Sequence, residues 1–360
     1  MRTRARSFDR DEPRLLTPRE IYEYLDRYVI GQDRAKRVVA IAAYNHLKRC
    51  QHRAAQGEKS ALRKSNILMI GPTGSGKTHI ARNLATCLGV PFVVVDATEY
   101  TEAGYYGKDV EVMVGELLFK ANHDVEAAER GIVFVDEVDK IARRSHGART
   151  GAGSRDIGGE GVQQAMLKLL EGREIFVPLN VTQHWSKHDF VLMNTQDILF
   201  ICAGTFSDLH LYTGSRIMGF GGTAEKQEAP RVTQKDLLEY GMLAEFLGRL
   251  PVIVGLEPLT EEDLVRVLKE PPDSLVKEYQ ELLAMDEVRL RFTDKALREI
   301  AHFAIRRGAG ARGLRSIMEE VCHDLMFEAP EWRGEQITVD ADYVQQRLER
   351  LRNTRVSSVE

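Results

Sequence analysis

The residues best suited to chemistry are 71–78, GPTGSGKT, which satisfy the GxxxxGK[ST] pattern of a phosphate-binding loop. The apolar segment NILMI precedes them and HIARNLATCLG follows, so we predict a strand before the loop and a helix after it. Glycines let backbone N–H groups point at phosphate oxygens, and the helix N-terminus adds partial positive charge. Lys77 is predicted to reach the outer phosphates and Thr78 to bind Mg²⁺. The predicted nucleotide-binding residues are Gly71, Pro72, Thr73, Gly74, Ser75, Gly76, Lys77 and Thr78.

Adjacent acids close another apolar segment, GIVFVDE at 131–137. Asp136 is placed to hold Mg²⁺, directly or through water, and Glu137 is a candidate for activating the attacking water. Two acids at the end of a strand are ordinary by themselves. After a phosphate-binding loop at this separation, they favour hydrolysis of a nucleoside triphosphate.

Five short apolar runs are predicted to form the strands that position these residues. Runs this short and continuous indicate strands buried on both faces, and the helical pattern between them predicts an α/β domain with a parallel sheet. One such helix is predicted over 110–121. The runs are 66–70, 91–96, 131–137, 197–204 and 250–256.

Two helices are predicted before the first strand. Thr17 and Glu20 have the spacing of a capping box, Gly31 separates the two helices, and 51–64 is predicted to be a loop.

The character of the chain changes past residue 258. Helices opened by Thr260 and Thr293 indicate a separate, mostly helical domain. Glycine-rich insertions at 142–161 and 214–230 are predicted to be long loops.

Composition sets limits on the function. The 360 residues suggest two or three domains, and 43% hydrophobic with 29% charged residues indicates a globular protein. A net charge of -4 does not demand nucleic acid as a partner, and no apolar run approaches the ~20 residues that span a bilayer. The arginine-rich start lacks the apolar core of a secretory signal. The scattered Cys50, Cys87, Cys202 and Cys322 argue against zinc and disulfides and favour a reducing cytoplasm.

Taken together, the motifs resemble the AAA+ ATPases, and most closely the ClpX family in the Clp/HslU branch, over residues from about 16 to 345. The phosphate-binding loop alone indicates only a nucleoside triphosphatase, whereas GEGVQQAMLKLLEG with AEFLGRLP and GARGLR is far more specific. The resemblance also extends over YVIGQDRAK, KSNILMIGPTGSGKT, DATEYTEAGYYGKDVE, GIVFVDEVDKIARRS, SRDIGGEGVQQAMLKLLEG, ILFICAGTF, EYGMLAEFLGRLPVIV and GARGLRSIMEE.

This resemblance implies an α/β fold, with an AAA+ P-loop NTPase core built on a parallel five-stranded sheet and followed by a small, mainly α-helical domain. The implied divisions are a flexible arginine-rich tail at 1–15, a large ATPase domain at 16–256, a small domain at 257–346 and a tail at 347–360.

The resemblance also implies how ATP and Mg²⁺ bind between the two domains. Val29 and Ile30 match the segment that cradles adenine. Arg249, in FLGRLP, matches an arginine that reaches the γ-phosphate of a neighbouring subunit, and Arg312, in GARGLR, matches one that contacts the phosphate in its own subunit. A guanidinium suits both positions because it keeps its charge and can bridge two phosphate oxygens. An arginine supplied by a neighbour requires an oligomer, and the family forms hexameric rings.

Two loops match surfaces that the family uses for other proteins. Gly104, Tyr105, Tyr106 and Gly107 match a loop that lines the axial pore and grips unfolded polypeptide, with Tyr105 at the gripping position. Family members usually carry an aliphatic residue where this chain has Tyr106. The peptidase-docking loop matches RIMGFGG, in which Ile217, Met218, Gly219 and Phe220 would plug pockets on a ClpP-type partner. The segment after it, TAEKQEAP, is shorter than the family pattern.

The chain departs from the family in two further places. It is expected to lack the N-terminal zinc-binding domain of the family, so no zinc is expected. The stretch 179–190 keeps His184, Lys187 and His188 but not the basic pattern found near the family's pore entrance.

The leading hypothesis is therefore an ATP-dependent protein unfoldase that forms a homohexamer and threads unfolded or tagged proteins, as the ATPase subunit of a Clp-type protease. The alternatives are a non-proteolytic remodelling factor and a motor on single-stranded nucleic acid. Glu102 and Asp109 flank the tyrosines and argue against the motor, so a nucleic acid is not expected as a partner. A membrane is not expected either, since no apolar run is long enough to span one.

Overall fold

A parallel sheet of five strands lies at the centre of the first domain in the computed structural model, which describes residues 15–56, 62–101, 108–143, 157–179, 190–207, 209 and 232–356. The described strands are β1 (Ile67–Ile70), β2 (Phe92–Asp96), β3 (Ile132–Asp136), β4 (Glu174–Pro178), β5 (Phe190–Asn194), β6 (Leu199–Gly204), β7 (Val252–Gly255), β8 (Arg289–Phe292) and β9 (Gln336–Val339). The order across the large sheet is β2-β3-β6-β1-β7. Its strands coincide with the five apolar runs, so the predicted α/β fold with a parallel sheet is confirmed.

Strand burial follows position in the sheet. The three central strands, β3, β6 and β1, are buried along almost their whole length, while the edge strands β2 and β7 are partly exposed. In register, Ile70 lies beside Gly204 and Asp96 beside Asp136, so the carboxyl ends of the strands meet along one edge. This edge positions the residues that follow β1 and end β3.

Helices cover both faces of the sheet. Ile67 and Met69 face α1–α3, whereas Leu68 and Ile70 face α4 and α6, because successive side chains of a strand point to opposite faces. The described helices up to this sheet's last strand are α1 (Pro18–Tyr28), α2 (Asp33–Gln56), α3 (Lys77–Leu88), α4 (Val112–Lys120), α5 (Val125–Glu129), α6 (Ile157–Glu171), α7 (Gln234–Tyr240) and α8 (Ala244–Gly248).

The second domain has its own core. Leu264, Ile300, Val321 and Val344 belong to one buried cluster that contains no residue of the large sheet. Its elements are α9 (Glu261–Lys269), α10 (Leu275–Met285), α11 (Asp294–Arg306), α12 (Leu314–Glu328) and α13 (Ala341–Val356), with the parallel pair β8-β9. A small helical C-terminal domain is therefore present, as predicted.

Helix starts follow the sequence signals. Thr17 and Glu20 form a capping box at α1, and Thr260 forms one with Asp263 at α9. Thr293 accepts a hydrogen bond from Ala296 N and caps α11. In the described parts of the chain, no helix combines the length and the apolar character needed to cross a membrane.

The loop prediction for 51–64 was wrong over its first residues, because α2 continues to Gln56. Ion pairs near the end of α2 explain the difference. Arg49 and Arg53 form ion pairs with Asp197, which follows β5, and hold the end of the helix against the sheet domain.

The loop prediction for 142–161 was also wrong at its end, because α6 begins at Ile157. A Cβ on Gly159 would lie 2.7 Å from the carbonyl oxygen of Ile141. The glycine is therefore needed for the close approach of α6 to the 3-10 turn Val138–Ile141, and tertiary contact overrides its weak helix propensity.

The two smaller sheets were not predicted. The β4-β5 hairpin buries Ile175 and Val177 and exposes Phe176 and Leu192. Its outer face is apolar too, which hides the alternation that would indicate a half-buried strand.

Candidate nucleotide-binding site

A cavity of about 940 Å³ lies at the carboxyl edge of the sheet, between the two domains. It brings together most of the sequence-predicted nucleotide residues. Among its lining residues are Val29, Ile30, Thr73, Gly74, Ser75, Gly76, Lys77, Thr78, Asp136, Glu137 and Arg312.

The other sequence-predicted residues lie elsewhere. Gly71 and Pro72 are not among the lining residues, and their carbonyl oxygens accept hydrogen bonds from Lys77 Nζ. Arg249 is not part of the lining. The predicted pore loop at 104–107, the docking segment at 217–220 and most of the basic stretch, 180–189, lie outside the described residues.

The loop between β1 and α3 has the backbone of an anion cradle. Gly74 and Gly76 have φ of 77° and 99°, a region that favours glycine, and Gly76 is the N-cap of α3. A Cβ on Gly76 would meet no protein atom within 4 Å, so the space beside it is open. Open space over the positive end of a 12-residue helix suits a phosphate group.

Lys77 lies at the first turn of α3 and is held by its own loop. Its Nζ donates to Gly71 O at 2.6 Å and to Pro72 O at 3.1 Å, and the side chain is buried. Burial lowers the pKa of Lys77, and the nearby carboxylates of Asp136 and Asp139 offset part of this effect. The ammonium is thus poised at the cavity wall with two neutral oxygens as partners, which a phosphate oxygen can replace.

Two oxygen-bearing side chains on the cavity wall suit a magnesium ion. Thr78 follows Lys77 at the start of α3, and Asp136 ends β3; both line the cavity and are half-buried. A hydroxyl and one carboxylate, with phosphate oxygens completing the shell, form a donor set that Mg²⁺ prefers. The Ser75 hydroxyl is also buried beside the cavity, with no hydrogen-bond partner in the part of the chain that the structure describes, so it is free to bond a ligand or a water.

Glu137 has an unusual backbone. Its φ of 56° lies in the left-handed region, which costs a non-glycine residue about 1–3 kcal/mol. The turn is stabilised by its own N–H, which donates to Asp136 Oδ1 at 2.9 Å. This conformation directs the chain sharply away from β3 and leaves the Glu137 side chain exposed at the cavity.

Asp139 and Thr205 complete this wall, and sequence reasoning did not identify them. The carboxylate of Asp139 accepts from Thr205 N at 3.2 Å and from Thr205 Oγ1 at 3.0 Å. Asp139 is 5% exposed, and a Cβ on Gly204 would lie 2.6 Å from its Oδ1. The pair therefore fixes the end of β6 against the end of β3. The repeated acid in VDEVDK was the available signal.

The far end of the cavity is apolar. Val29 and Ile30, between α1 and α2, contribute from the first domain, and Leu259, Val267 and Leu275 contribute from the second. A largely apolar pocket with a few polar groups suits a flat ring such as a nucleobase. The carbonyl of Tyr28 at this end contacts His79 Nε2 at 3.1 Å, which ties α1 to α3.

The small domain touches the phosphate loop directly. Ala311 N donates to Gly74 O at 3.4 Å, and a Cβ on Gly74 would lie 2.8 Å from Ala309 O. Arg312 follows in the same 3-10 turn, Gly310–Gly313, and is exposed at the cavity. Its guanidinium is therefore carried into the cavity by the small domain, while the phosphate loop belongs to the first domain.

A second arginine, Arg315, lines the cavity but is already paired. It donates two hydrogen bonds to Glu278, at 2.8 and 2.7 Å, and this pairing lowers the pKa of Glu278. Arg312 also lines the cavity, and no bidentate carboxylate partner is seen for it among the described residues.

Arg249 lies just after α8, outside the cavity of its own chain. Its Nη2 donates to Glu171 Oε1 at 2.7 Å, and this hydrogen bond lowers the pKa of Glu171. Its backbone carbonyl accepts from Asn66 Nδ2 at 3.0 Å, so the buried Asn66 anchors the turn to the sheet. The Arg249 side chain remains 47% exposed on this anchored surface turn.

Comparisons with known proteins agree with this architecture. The family model described as AAA domain (Cdc48 subfamily) matches residues 62–253, and the one described as C-terminal, D2-small domain, of ClpB protein matches 259–336. The chain is 47% identical over 313 residues to ATP-dependent Clp protease ATP-binding subunit ClpX 2 of Wolinella succinogenes, covering 87% of this chain and 78% of that protein. It is 44% identical over 329 residues to ATP-dependent Clp protease ATP-binding subunit ClpX of Treponema denticola, covering 88% and 78%. The chain belongs to the ClpX family of AAA ATPases.

Proposed function

We propose that this protein is an ATP-dependent protein unfoldase and translocase that works as the ATPase subunit of a Clp-type protease. The observation that carries the proposal is the cavity between the domains, which combines the phosphate loop, Asp136 and Glu137 with Arg312 of the small domain. The names of the similar proteins favour a protease subunit over a non-proteolytic remodelling factor.

Different residues of the cavity have different roles in ATP binding and hydrolysis. The N–H groups of the phosphate loop and Lys77 hold the outer phosphates, and the apolar end holds adenine against Val29 and Ile30. Mg²⁺, held by Thr78 and Asp136, would neutralise charge on the phosphates. Glu137 orients a water and accepts its proton.

Arg312 links hydrolysis to movement of the small domain. It reaches the cavity from the turn that also contacts Gly74. Loss of the γ-phosphate removes the charge that holds this guanidinium, so the two domains can change their relative angle. The division into domains at 16–256 and 257–346, with tails at 1–15 and 347–360, is part of the same proposal.

We place Arg249 on the neighbouring subunit's ATP in a homohexameric ring. Its exposure, its fixed backbone and its position outside its own cavity support this role. Arg249→Ala is expected to slow hydrolysis about 10³-fold, the usual effect of losing such an arginine. An equal mixture of Arg249→Ala and Glu137→Gln subunits is expected to recover about a quarter of the wild-type rate, because one site in four then has both groups intact.

The control is Arg173→Ala, which removes the other arginine that binds Glu171 and is expected to leave hydrolysis unchanged. Steady-state ATPase rates are measured for each variant and for the mixture. A mixture no faster than its two components would show that Arg249 does not act across subunits.

The loop at 104–107 is proposed to grip the polypeptide in the pore of the ring. Tyr105→Ala is expected to slow unfolding of a tagged fluorescent protein by more than about tenfold, because it removes the aromatic contact that transmits force. ATP hydrolysis should stay within about twofold of the wild type, because no residue of the cavity changes. Tyr105→Phe keeps the aromatic ring and is expected to unfold the substrate at the wild-type rate. Normal unfolding by Tyr105→Ala would rule out this role.

Docking of a ClpP-type peptidase is assigned to Ile217, Met218, Gly219 and Phe220. The same fluorescent substrate separates this step, since Phe220→Ala should abolish its degradation and leave its unfolding intact. The scattered free cysteines suit a reducing compartment, so a cytoplasmic location is part of the proposal.

A further inference from the structure

The segment between α1 and α2 contains another non-glycine residue in the left-handed backbone region. Gly31 and Gln32 have φ of 66° and 57°, and only the first is a glycine. A glutamine persists in the left-handed region only where its surroundings hold it there. The same segment carries Val29 and Ile30 into the apolar end of the cavity.

Hydrogen bonds of the Gln32 side chain hold this residue in its left-handed conformation. Its Oε1 accepts from Glu257 N at 3.0 Å, and its Nε2 donates to Glu257 O at 2.7 Å. The same Nε2 donates to Ser75 O at 3.3 Å. One amide thus joins the segment between α1 and α2, the phosphate loop, and a residue 225 positions along the chain.

Glu257 lies where the two domains connect. β7 ends at Gly255, Leu256 N still bonds Ile70 O at 2.7 Å, and α9 of the small domain begins at Glu261. Glu257 is therefore the first residue of the connection that the sheet no longer holds. Because Gln32 binds both its N–H and its C=O, it fixes the two peptide planes on either side of the Glu257 Cα. Those planes set the direction in which the small domain leaves the sheet.

The contact with Ser75 links this connection to the ligand. The carbonyl of Ser75 and the N–H of Gly76 belong to one planar peptide unit and point in opposite directions. A phosphate held by the N–H of Gly76 fixes that unit, and with it the carbonyl that Gln32 binds. Binding of a phosphate to the loop can therefore affect the backbone at Glu257 through the Gln32 side chain.

We propose that Gln32 is a positioning residue that couples nucleotide occupancy of the phosphate loop to the orientation of the small domain at Glu257. This inference rests on the proposed ATPase function of the cavity. Gln32 acts through Arg312, since the small domain that it orients carries that guanidinium and touches Gly74. Loss of the side chain leaves the ATP-binding groups in place but leaves the position of Arg312 unfixed.

The proposal predicts a split between the kinetic constants. Gln32→Ala in the full-length protein is expected to lower kcat by about tenfold or more while KM for ATP stays within about threefold. Fluorescent labels at the exposed positions 45 and 298, one on each domain, should report an ATP-dependent change of distance in the wild type. This change should disappear in Gln32→Ala.

Gln32→Glu gives a second readout that a purely structural role would not produce. Glutamate still accepts from Glu257 N, but its carboxylate faces the carbonyl oxygens of Glu257 and Ser75. At pH 8, the kcat of Gln32→Glu divided by that of the wild type should be as low as the same ratio for Gln32→Ala. At about pH 5.5, partial protonation of the glutamate returns one hydrogen-bond donor, because carbonyl neighbours favour the neutral acid. The kcat ratio of Gln32→Glu to wild type should therefore rise at the lower pH. The wild-type amide does not titrate.

The matched control is Gln280→Ala, which removes a glutamine bond to a backbone carbonyl, Leu290 O at 3.1 Å, within the small domain. It should keep kcat, KM and the ATP-dependent distance change. An ATP-dependent distance change in Gln32→Ala equal to that of the wild type would overturn the proposal, as would equal losses in Gln280→Ala. Hydrolysis by the wild type with no distance change would overturn the coupling alone. No hydrolysis by the wild type would overturn the ATPase function and the coupling with it.

Discussion

Replacing Glu137 with glutamine is expected to reduce ATP hydrolysis about 10²–10⁴-fold, the usual contribution of a positioned general base, while ATP binding is retained. Glutamine has the same shape and can adopt the same left-handed turn after β3, so the bond from its N–H to Asp136 Oδ1 is kept. Its amide cannot accept the proton of the attacking water. The change therefore removes an interaction made only in the transition state, and kcat should fall with little effect on affinity.

Single-turnover hydrolysis and equilibrium binding of ATP separate the two effects. Glu126→Gln is the control, since this acid is 79% exposed on α5 and pairs with Arg130 away from the cavity. Rings should form normally in both variants. Hydrolysis near the wild-type rate by Glu137→Gln would show that Glu137 is not the general base. The two other cavity acids that lie at the end of β3 are poor replacements, because Asp139 is bonded to Thr205 and Asp136 is assigned to the proposed metal site.

The strands and the phosphate loop could be predicted because their signals are local. Central strands of a parallel sheet are buried on both faces, so β1, β3 and β6 appear as unbroken apolar runs. The loop GPTGSGKT needs glycines at fixed positions, two of which have positive φ. Once these elements are placed, the rule that parallel strands end at one edge brings Lys77 and Asp136 together.

The rest of the cavity depends on contacts that no local pattern records. Asp139 meets Thr205 across 66 residues, and Gln32 meets Glu257 across 225. The start of α6 was missed for a related reason. Glycine at 159 weakens an isolated helix by about 1 kcal/mol relative to alanine. The reason for a glycine here is the close approach of Ile141, which leaves no room for a Cβ and which the local sequence does not record.

These missed contacts share one feature, which is that each joins segments that must keep a fixed relation around the ligand. Asp139 holds β6 to the turn after β3, and Ala311 holds the small domain to Gly74. Motif residues bind the nucleotide, whereas these residues determine whether the motifs face one another. A variant can therefore keep every motif of the family and still lose activity.

The second large effect is expected for Lys77→Ala, which should weaken ATP binding by about 10–100-fold through the loss of a charge-assisted hydrogen bond to phosphate. Within the described residues, the hydrogen-bond acceptors of the buried ammonium are the carbonyls of Gly71 and Pro72. Burial disfavours the charged form of Lys77, so we expect this lysine to contribute little to folding stability. Its main contribution is expected to be the interaction with phosphate. The folding stability without ATP should accordingly change little.

The melting temperature measured with and without ATP tests both statements, in the Glu137→Gln background so that ATP is not consumed. A ligand that binds only the folded state raises the melting temperature according to its concentration over Kd, so the parent should show a clear rise and Lys77→Ala only a small one. Lys295→Ala, at an exposed lysine of α11, should behave as the parent. A large drop in stability without ATP would instead mean that Lys77 holds the loop itself together through its two carbonyl partners. An unchanged rise with ATP would exclude Lys77 as a phosphate ligand, because loss of a ligand group must weaken binding and so reduce the rise.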